Sequence, residues 1–441
     1  MSSAARLLES VRGADWLKRT GRLVRSVGLA LESEGPDARL GEVCEITSRA
    51  HGSRTLAEVV GFTDRRVLLM PYSDPIGIEA GSEVMATGET AHALAGDHLL
   101  GRVLDGFGQP IDGLPLSRRG SKYPLHPPPL NPLERGQIGD VLETGVRAID
   151  TLLTLARGQR VGIFAGSGVG KSTVLGMIAR HVHADVMVIA LVGERGREVK
   201  AFVESGLSPE ARKRCVVVAA TSDQPALVRR RAAFLATAIA EYFRDRGKHV
   251  CLTMDSVTRV AMAQREIGLA SGELPTARAY TPSVFALLPK LLERGGSAAN
   301  GGSLTALYTV LVEGDDMNDP IADTVRSILD GHIVLSRAVA QRARFPALDV
   351  TQSVSRLASS VVGASDRDLI ADALRLIAQY ESSRDLIEVG AYKGGTNAQV
   401  DRAIKIVPEL EKFMAQKPEE TESRSAAMQR LRKILQAERA T

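Results

Sequence analysis

Aromatic side chains are scarce in this sequence: they make up 4% of its 441 residues, and only one is a tryptophan. Proteins that bind single-stranded nucleic acids usually stack the bases on aromatic rings, so the scarcity argues against such a surface. A strong basic surplus is also missing, because 56 Lys and Arg face 52 Asp and Glu. The densest basic run, residues 229–231, enters an alanine-rich stretch that is typical of an exposed helix face.

Cysteine is rare as well, and the three that are present are far apart, with no Cys-x-x-Cys pair. Cys215 and Cys251 adjoin apolar runs, so buried free thiols in a reducing compartment are expected. No apolar run reaches the roughly 18 residues of a membrane span. The N-terminus lacks the apolar core of a signal peptide. These absences predict a soluble, intracellular protein.

The sequence is long enough for two or three domains, and the pattern of apolar, glycine and charged residues changes along the chain. Residues 1–20 place apolar side chains near helical spacing and predict an N-terminal helical arm. This arm could dock a partner or a membrane surface, or it could be an ordinary helix. Residues 21–95 consist of short β-prone runs broken by glycine and acidic turns, as in a small antiparallel β-barrel.

A proline-rich connector over residues 120–136 leads into the main body of a central domain, predicted over residues 96–360. Continuous apolar runs at 161–164, 186–192, 215–219 and 250–254 are typical of a parallel sheet covered on both faces. Beyond residue 360 only helical patterns remain, and Pro408 is expected to kink or split the middle helix. We therefore predict a multidomain α/β protein with a C-terminal helical domain over residues 361–441.

A glycine-rich segment carries the strongest chemical signal. It has the pattern of a P-loop and lies between a predicted strand and a predicted helix, as a P-loop must. Glycines let successive backbone N–H groups wrap phosphates, and the helix N-terminus adds its dipole. Lys171 is expected to reach the β- and γ-phosphates of ATP, and the Ser172 hydroxyl to ligate Mg²⁺. The predicted ATP-binding residues are Ala165, Gly166, Ser167, Gly168, Val169, Gly170, Lys171, Ser172 and Thr173.

Two acidic residues follow apolar runs of the predicted sheet. Because ligands bind at the carboxyl ends of parallel strands, both are expected beside the P-loop. Asp255 is the candidate second ligand of the magnesium, and Glu194 is the candidate group that orients and polarises the attacking water. The structural alternatives are an Asp that caps the next turn and a Glu that pairs with Arg195 or Arg197.

Further stretches of the sequence resemble the rotary-type hexameric ATPases, a superfamily that includes the ATP synthase catalytic chain. The closest resemblance is to the type III secretion export ATPases, the flagellar branch in particular, over nearly the whole chain. The stretches that carry it include Gly101-Arg102-Val103-Leu104-Asp105-Gly106-Phe107-Gly108, Gly145-Val146-Arg147-Ala148-Ile149-Asp150, Met254-Asp255-Ser256-Val257-Thr258-Arg259 and Leu329-Asp330-Gly331-His332.

The resemblance implies roles for individual residues and a RecA-like central domain. Glu194 corresponds to the catalytic carboxylate of the family, and Arg195 to the arginine beside it that faces the γ-phosphate. Arg356 corresponds to an arginine finger that crosses a subunit interface. Phe345 corresponds to the aromatic that packs against adenine, with a plain core Phe as the alternative. Lys171 joins Glu194 and the two arginines as a catalytic residue.

The same resemblance implies an assembly and a function. Because the chain carries both Glu194 and Arg356, identical subunits could build complete sites, and a homohexamer is expected. The implied function is hydrolysis of ATP with Mg²⁺ to energise protein export through a type III, in this case flagellar, apparatus. The implied partners are a stator-like regulator at the N-terminus, export chaperones, a central stalk protein and a membrane export gate, without nucleic acid. The implied location is cytoplasmic, peripheral to the membrane at the base of the apparatus.

Three alternatives stay open. A Rho-like RNA translocase would share the core, although residues 21–88 offer only Phe62 and Tyr72 for base stacking. The catalytic subunit of a rotary ATP synthase is a member of the same superfamily. A regulatory nucleotide-binding subunit without turnover is opposed by Glu194, because noncatalytic relatives tend to lose that carboxylate.

Overall fold

The computed structural model describes residues 19–436 except 118, 313 and 315. The predicted helical arm therefore lies almost entirely outside the described residues, and Thr20 begins the first strand. The strands are β1 (Thr20–Val27), β2 (Ala30–Glu34), β3 (Glu42–Thr47), β4 (Arg54–Thr63), β5 (Arg66–Pro71), β6 (Glu83–Thr90), β7 (His92–Ala95), β8 (Val103–Leu104), β9 (Ser121–Pro124), β10 (Val141–Leu142), β11 (Leu155–Ala156), β12 (Arg160–Ala165), β13 (Val186–Val192), β14 (Cys215–Ala220), β15 (His249–Asp255), β16 (Gly296–Ser297), β17 (Ser303–Leu311), β18 (Gly331–Leu335) and β19 (Leu348–Ser355). The helices are α1 (Lys171–His181), α2 (Gly196–Ala201), α3 (Pro209–Lys213), α4 (Ala226–Arg244), α5 (Val257–Ala270), α6 (Pro282–Leu292), α7 (Pro320–Ile328), α8 (Arg337–Gln341), α9 (Ala358–Val361), α10 (Ala364–Glu388), α11 (Ala398–Met414) and α12 (Arg424–Gln436).

The first six strands close into an antiparallel barrel in the order β1-β2-β5-β4-β3-β6. Buried and half-buried residues alternate along β3, as they must when one face of a strand lines a core. Leu31, Ile46, Leu69 and Val84 are among the side chains that fill the interior. The predicted β-barrel is confirmed.

A nine-stranded sheet forms the centre of the molecule, in the order β19-β18-β12-β17-β15-β13-β14-β8, with β16 attached to β17. Its pairings are parallel except for β18–β19 and β16–β17. Alternate residues of β13 pack against α4 on one face and against α1 on the other. This two-sided burial explains the continuous apolar runs and confirms the predicted parallel-sheet domain.

Three helices, α10 to α12, form the C-terminal part of the described chain and pack on the same face of the sheet as α1. The predicted helical domain is confirmed, but α11 runs without interruption through Pro408 instead of being split there. The missing N–H of Pro408 costs the helix one bond, and the buried side chains of Val407, Leu410 and Phe413 hold it together. No helix in the described part of the chain is long and apolar enough to cross a membrane.

The three arginines at 229–231 are not an exposed face, so that prediction was wrong. Arg230 Nη2 donates to Glu58 Oε1 of the barrel at 2.6 Å. The guanidinium of Arg231 lies over the rings of Tyr72 and Phe107, at 5.7 and 5.4 Å from their centroids. Arg230 and Arg231 thus join α4 to the barrel, a contact between distant segments that a local charge pattern does not reveal.

Candidate active site

The glycine-rich turn lies between the end of β12 at Ala165 and the start of α1 at Lys171. Gly168 and Gly170 have φ angles of 79° and 93°, a left-handed backbone in which other residues are strained. A Cβ atom on either glycine would meet nothing within 4 Å, so the requirement is conformational and not one of space. No side chain caps the N-terminus of α1, which leaves its first N–H groups available to an anion.

Three predicted residues meet beside this turn. Lys171 Nζ lies 2.5 Å from Asp255 Oδ1 and 3.3 Å from Glu194 Oε1. Asp255 is the last residue of β15, and Glu194 follows the end of β13, so both stand at the carboxyl edge of the sheet. The three side chains are only 6–16% exposed. The structure thus brings together the lysine and the two carboxylates on which hydrolysis would depend.

Burial alone shifts the pKa values of Glu194 and Lys171 in opposite directions. Burial raises the pKa of Glu194 to about 7, Lys171 opposes the rise, and the Asp255 carboxylate adds to it. Burial also disfavours the charged form of Lys171, but Asp255 and Glu194 outweigh it and the lysine pKa lies above its usual value. Lys171 is therefore a permanent cation, whereas Glu194 is poised near neutral pH, where a general base is most effective.

One residue of the cluster was missed in the sequence. Thr309 is fully buried on β17, and its Oγ1 donates to Asp255 Oδ1 at 2.7 Å. Strand β17 lies between β12, which carries the P-loop, and β15, which carries Asp255. A hydroxyl inside an apolar strand must find a hydrogen-bond partner, and that was the available signal.

Ser172 and Asp255 offer a hydroxyl and a carboxylate oxygen, the kind of ligand that Mg²⁺ prefers. Within the described ranges, no group of three or more His, Cys, Asp or Glu could hold a metal alone. The two residues therefore fit a magnesium ion whose remaining ligands are phosphate oxygens and water, which is its usual mode of binding.

Phe345 lies near the same edge of the sheet. It shortly precedes Leu348, which pairs with Leu335, which in turn pairs with Ala165 before the P-loop. Its side chain is 50% exposed, so it is not a core residue and presents a free ring surface. Its contact with adenine stays a prediction.

The two predicted arginines lie outside the cluster. Arg195 precedes α2 and is exposed, with Nη1 4.0 Å from Glu198 Oε1. Arg356 follows β19, whose last residue pairs with Gly331 at the start of β18. Arg356 therefore lies at the amino edge of the parallel strands, and the six residues of β12 separate the two edges by roughly 20 Å.

Three comparisons with known proteins agree with this geometry. The sequence matches the beta-barrel domain of the ATP synthase alpha/beta family over residues 23–88, the nucleotide-binding domain of that family over residues 145–355, and the T3SS EscN ATPase C-terminal domain over residues 362–433. It is 52% identical over 415 residues to the flagellum-specific ATP synthase of Bacillus subtilis (strain 168), with 94% of each chain covered.

Solved structures give the same result. The assembled ATPase EscN from the type III secretion system of enteropathogenic E. coli is 44% identical, with a TM-score of 0.89 over 94% of this chain and 100% of that one. EscN in complex with its central stalk EscO gives a TM-score of 0.87 with the same identity and coverage.

A β-barrel, a P-loop sheet with the Lys171 cluster and a helical C-terminal domain define an ATPase of the ATP synthase alpha/beta kind. The identity of 52% to the flagellum-specific ATP synthase of Bacillus subtilis, over 94% of both chains, assigns this chain to a narrower group within that class. The chain belongs to the family of flagellar and type III secretion ATPases. The resemblance, the ATPase activity and the use of a nucleotide are thereby confirmed, while the roles of individual residues stay predictions.

Proposed function

We propose that this chain hydrolyses Mg-ATP in a homohexameric ring and thereby energises protein export through a flagellar type III apparatus. One observation carries the proposal: the two groups of residues that are predicted to form a hydrolytic site lie at opposite edges of one sheet. The Lys171 cluster stands at the carboxyl edge, and Arg356 stands at the amino edge. The two parts can therefore meet only when one chain contacts another.

Such a contact joins two unlike surfaces. A head-to-tail interface of this kind closes into a ring when the rotation between neighbours permits it. The related EscN, with 44% identity to this chain, was solved as an assembled ATPase. The exposed position of Arg356 supports a contact with a neighbour.

Within each site the residues have separate tasks. Lys171 exchanges its two carboxylate partners for the phosphates of ATP, and Glu194 then accepts a proton from the attacking water. Ser172 and Asp255 would hold the magnesium ion, which would supply positive charge beside the phosphates. Arg195 faces the γ-phosphate from the same chain, and Arg356 of the next chain stabilises the charge that develops during transfer.

The further partners are also proposals. Residues 1–20 would meet a stator-like regulator, and the C-terminal helices would face export chaperones, a central stalk and the membrane export gate, at the cytoplasmic base of the apparatus. The complex of EscN with its central stalk supports the stalk. A Rho-like function is weakened because Tyr72 is buried and donates to Glu58 at 2.7 Å, which leaves Phe62 as the exposed one of the two candidate stacking residues.

Mixing two inactive variants tests the shared site. Glu194→Gln and Arg356→Ala should each lose most of the turnover. In a ring assembled from equal amounts of both, about one interface in four combines an intact Glu194 with an intact Arg356. The mixture should therefore recover a measurable part of the wild-type rate. A control mixture of Glu194→Gln with the double variant should recover nothing, and failure of the first mixture to exceed it would contradict the proposal.

A further inference from the structure

The exposed Arg356 has a firmly anchored backbone. Its N–H donates to the carbonyl of Asp330 at 3.0 Å. Gln159, which is completely buried, donates from Nε2 to the same carbonyl and to Ser355 Oγ, both at 3.1 Å. Ser355 Oγ in turn donates to the carbonyl of Thr154 at 2.9 Å. The groups next to the Arg356 backbone therefore have hydrogen-bond partners, and these bonds fix its position.

Asp330 is itself held by the residue that begins β12. Its carboxylate accepts from the backbone N–H, Nε and Nη2 of Arg160 at 3.0, 2.9 and 2.8 Å. The N–H of Asp330 donates back to the carbonyl of Arg160 at 2.9 Å. A bidentate pair of this kind, with side chains 14% and 21% exposed, fixes orientation as well as distance.

Strand β12 connects the anchor of Arg356, which consists of Gln159, Arg160 and Asp330, to the chain's own P-loop. Arg160 is its first residue, and Ala165, its last, enters the glycine-rich turn. The strand is paired on both sides, with β17 and β18, so its ends cannot shift separately without breaking those ladders.

We propose that Gln159 and Asp330 are positioning residues that fix Arg356 on the strand carrying the chain's own P-loop. The arginine offered to the next subunit then moves with the nucleotide site of the subunit that offers it. This inference rests on the proposed function, in which Arg356 reaches a neighbour's nucleotide.

Asp330→Asn tests the positioning role, because it removes the charge that holds Arg160 and keeps the size of the side chain. A displacement of about 1 Å in a catalytic group costs on the order of a hundredfold in rate. We expect kcat to fall by about tenfold to a hundredfold, with KM for ATP nearly unchanged, since the finger acts on the transition state.

Glu293→Gln is the matched control. Glu293 Oε2 lies 2.5 Å from Nη1 of the same Arg160, on a side chain that is 48% exposed, and among the described residues its carboxylate makes no hydrogen bond to Asp330, Gln159 or Arg356. A salt bridge to a carboxylate that is half exposed to solvent contributes little, so kcat should stay within about twofold of wild type. A loss equal to that of Asp330→Asn would overturn the proposal.

A double-mutant cycle separates positioning from a general structural effect. If Asp330 acts through the finger, Asp330→Asn should cause no further loss of kcat once Arg356 is alanine. The same loss in both backgrounds would refute the inference, whereas full activity of Arg356→Ala alone would refute the proposed function instead. If Asp330→Asn does not fold, Ser355→Ala removes two hydrogen bonds beside the finger and takes its place in the cycle.

Discussion

The two edges of the central sheet differ in how complete they are. At the carboxyl edge, Lys171 already contacts both Glu194 and Asp255, and the three side chains are mostly buried. At the amino edge, Arg356 is exposed, and it is the backbone beneath it that is anchored. In the proposed site, folding of one chain would therefore assemble the first half, and the second half would act only beside another chain.

The largest expected effect comes from the incomplete edge. Arginine fingers contribute about 10³–10⁵ to turnover, so Arg356→Ala should lower kcat by that order while each chain still binds nucleotide through its own P-loop. Steady-state hydrolysis and titration with a fluorescent nucleotide measure the two properties separately. Arg326→Ala, at a half-buried arginine that pairs with Asp323 within α7, is the control and should change neither property. Weakened nucleotide binding by isolated Arg356→Ala chains would erase the distinction between the edges.

A smaller effect is expected inside the complete edge. Thr309→Val removes the hydroxyl that donates to Asp255, and a hydrogen bond to a charged group contributes about 1.5–3 kcal/mol. The Mg²⁺ concentration needed for half-maximal nucleotide binding and turnover should rise by about tenfold to a hundredfold.

Thr237→Val provides the comparison for that experiment. Thr237 is equally buried, but its hydroxyl donates to the carbonyl of Ala233 within α4, away from the cluster. If both threonine variants titrate alike with Mg²⁺, Thr309 has no specific task in orienting Asp255.

The smallest effect concerns protonation. Because burial raises the pKa of Glu194 to about 7, the base is increasingly protonated as the pH falls below that value. A protonated carboxyl cannot accept a proton from water, so kcat/KM should decrease about tenfold per pH unit on the acid side. A pH profile of kcat/KM measures this limb, and it should be absent from the residual activity of Glu194→Gln. A flat profile well below neutral pH would show that the raised pKa does not govern catalysis.

The completeness of each edge also explains what could be predicted from the sequence. The P-loop, Glu194 and Asp255 directly follow apolar strands in the sequence. The carboxyl ends of parallel strands lie at one edge of a sheet whatever the strand order, so these residues can be predicted to lie close together before the full topology is known. Thr309 could not be assigned, because its partner depends on β17 lying between β12 and β15. The position of Arg356 depends on β19 being antiparallel to β18, which no local pattern encodes.

The contact between α4 and the barrel shows the same limit of prediction from the sequence. Arg230 and Arg231 form a charged run that looks like a solvated helix face, yet Glu58 and the rings of Tyr72 and Phe107 are their partners. These partners are far away in the sequence, and tertiary packing decides the role of such residues. Pro408 illustrates the reverse case, in which burial of a helix face overrides a local preference.

The placement of the two half-sites on opposite edges gives the proposed ring a direction. Every subunit would receive its arginine from the neighbour on one side, and its own Arg356 would act in the site of the neighbour on the other side. A defect at the carboxyl edge would then silence the subunit that carries it, whereas a defect at the amino edge would silence the subunit next to it. The location of a lesion within a chain would therefore determine which member of the ring stops working.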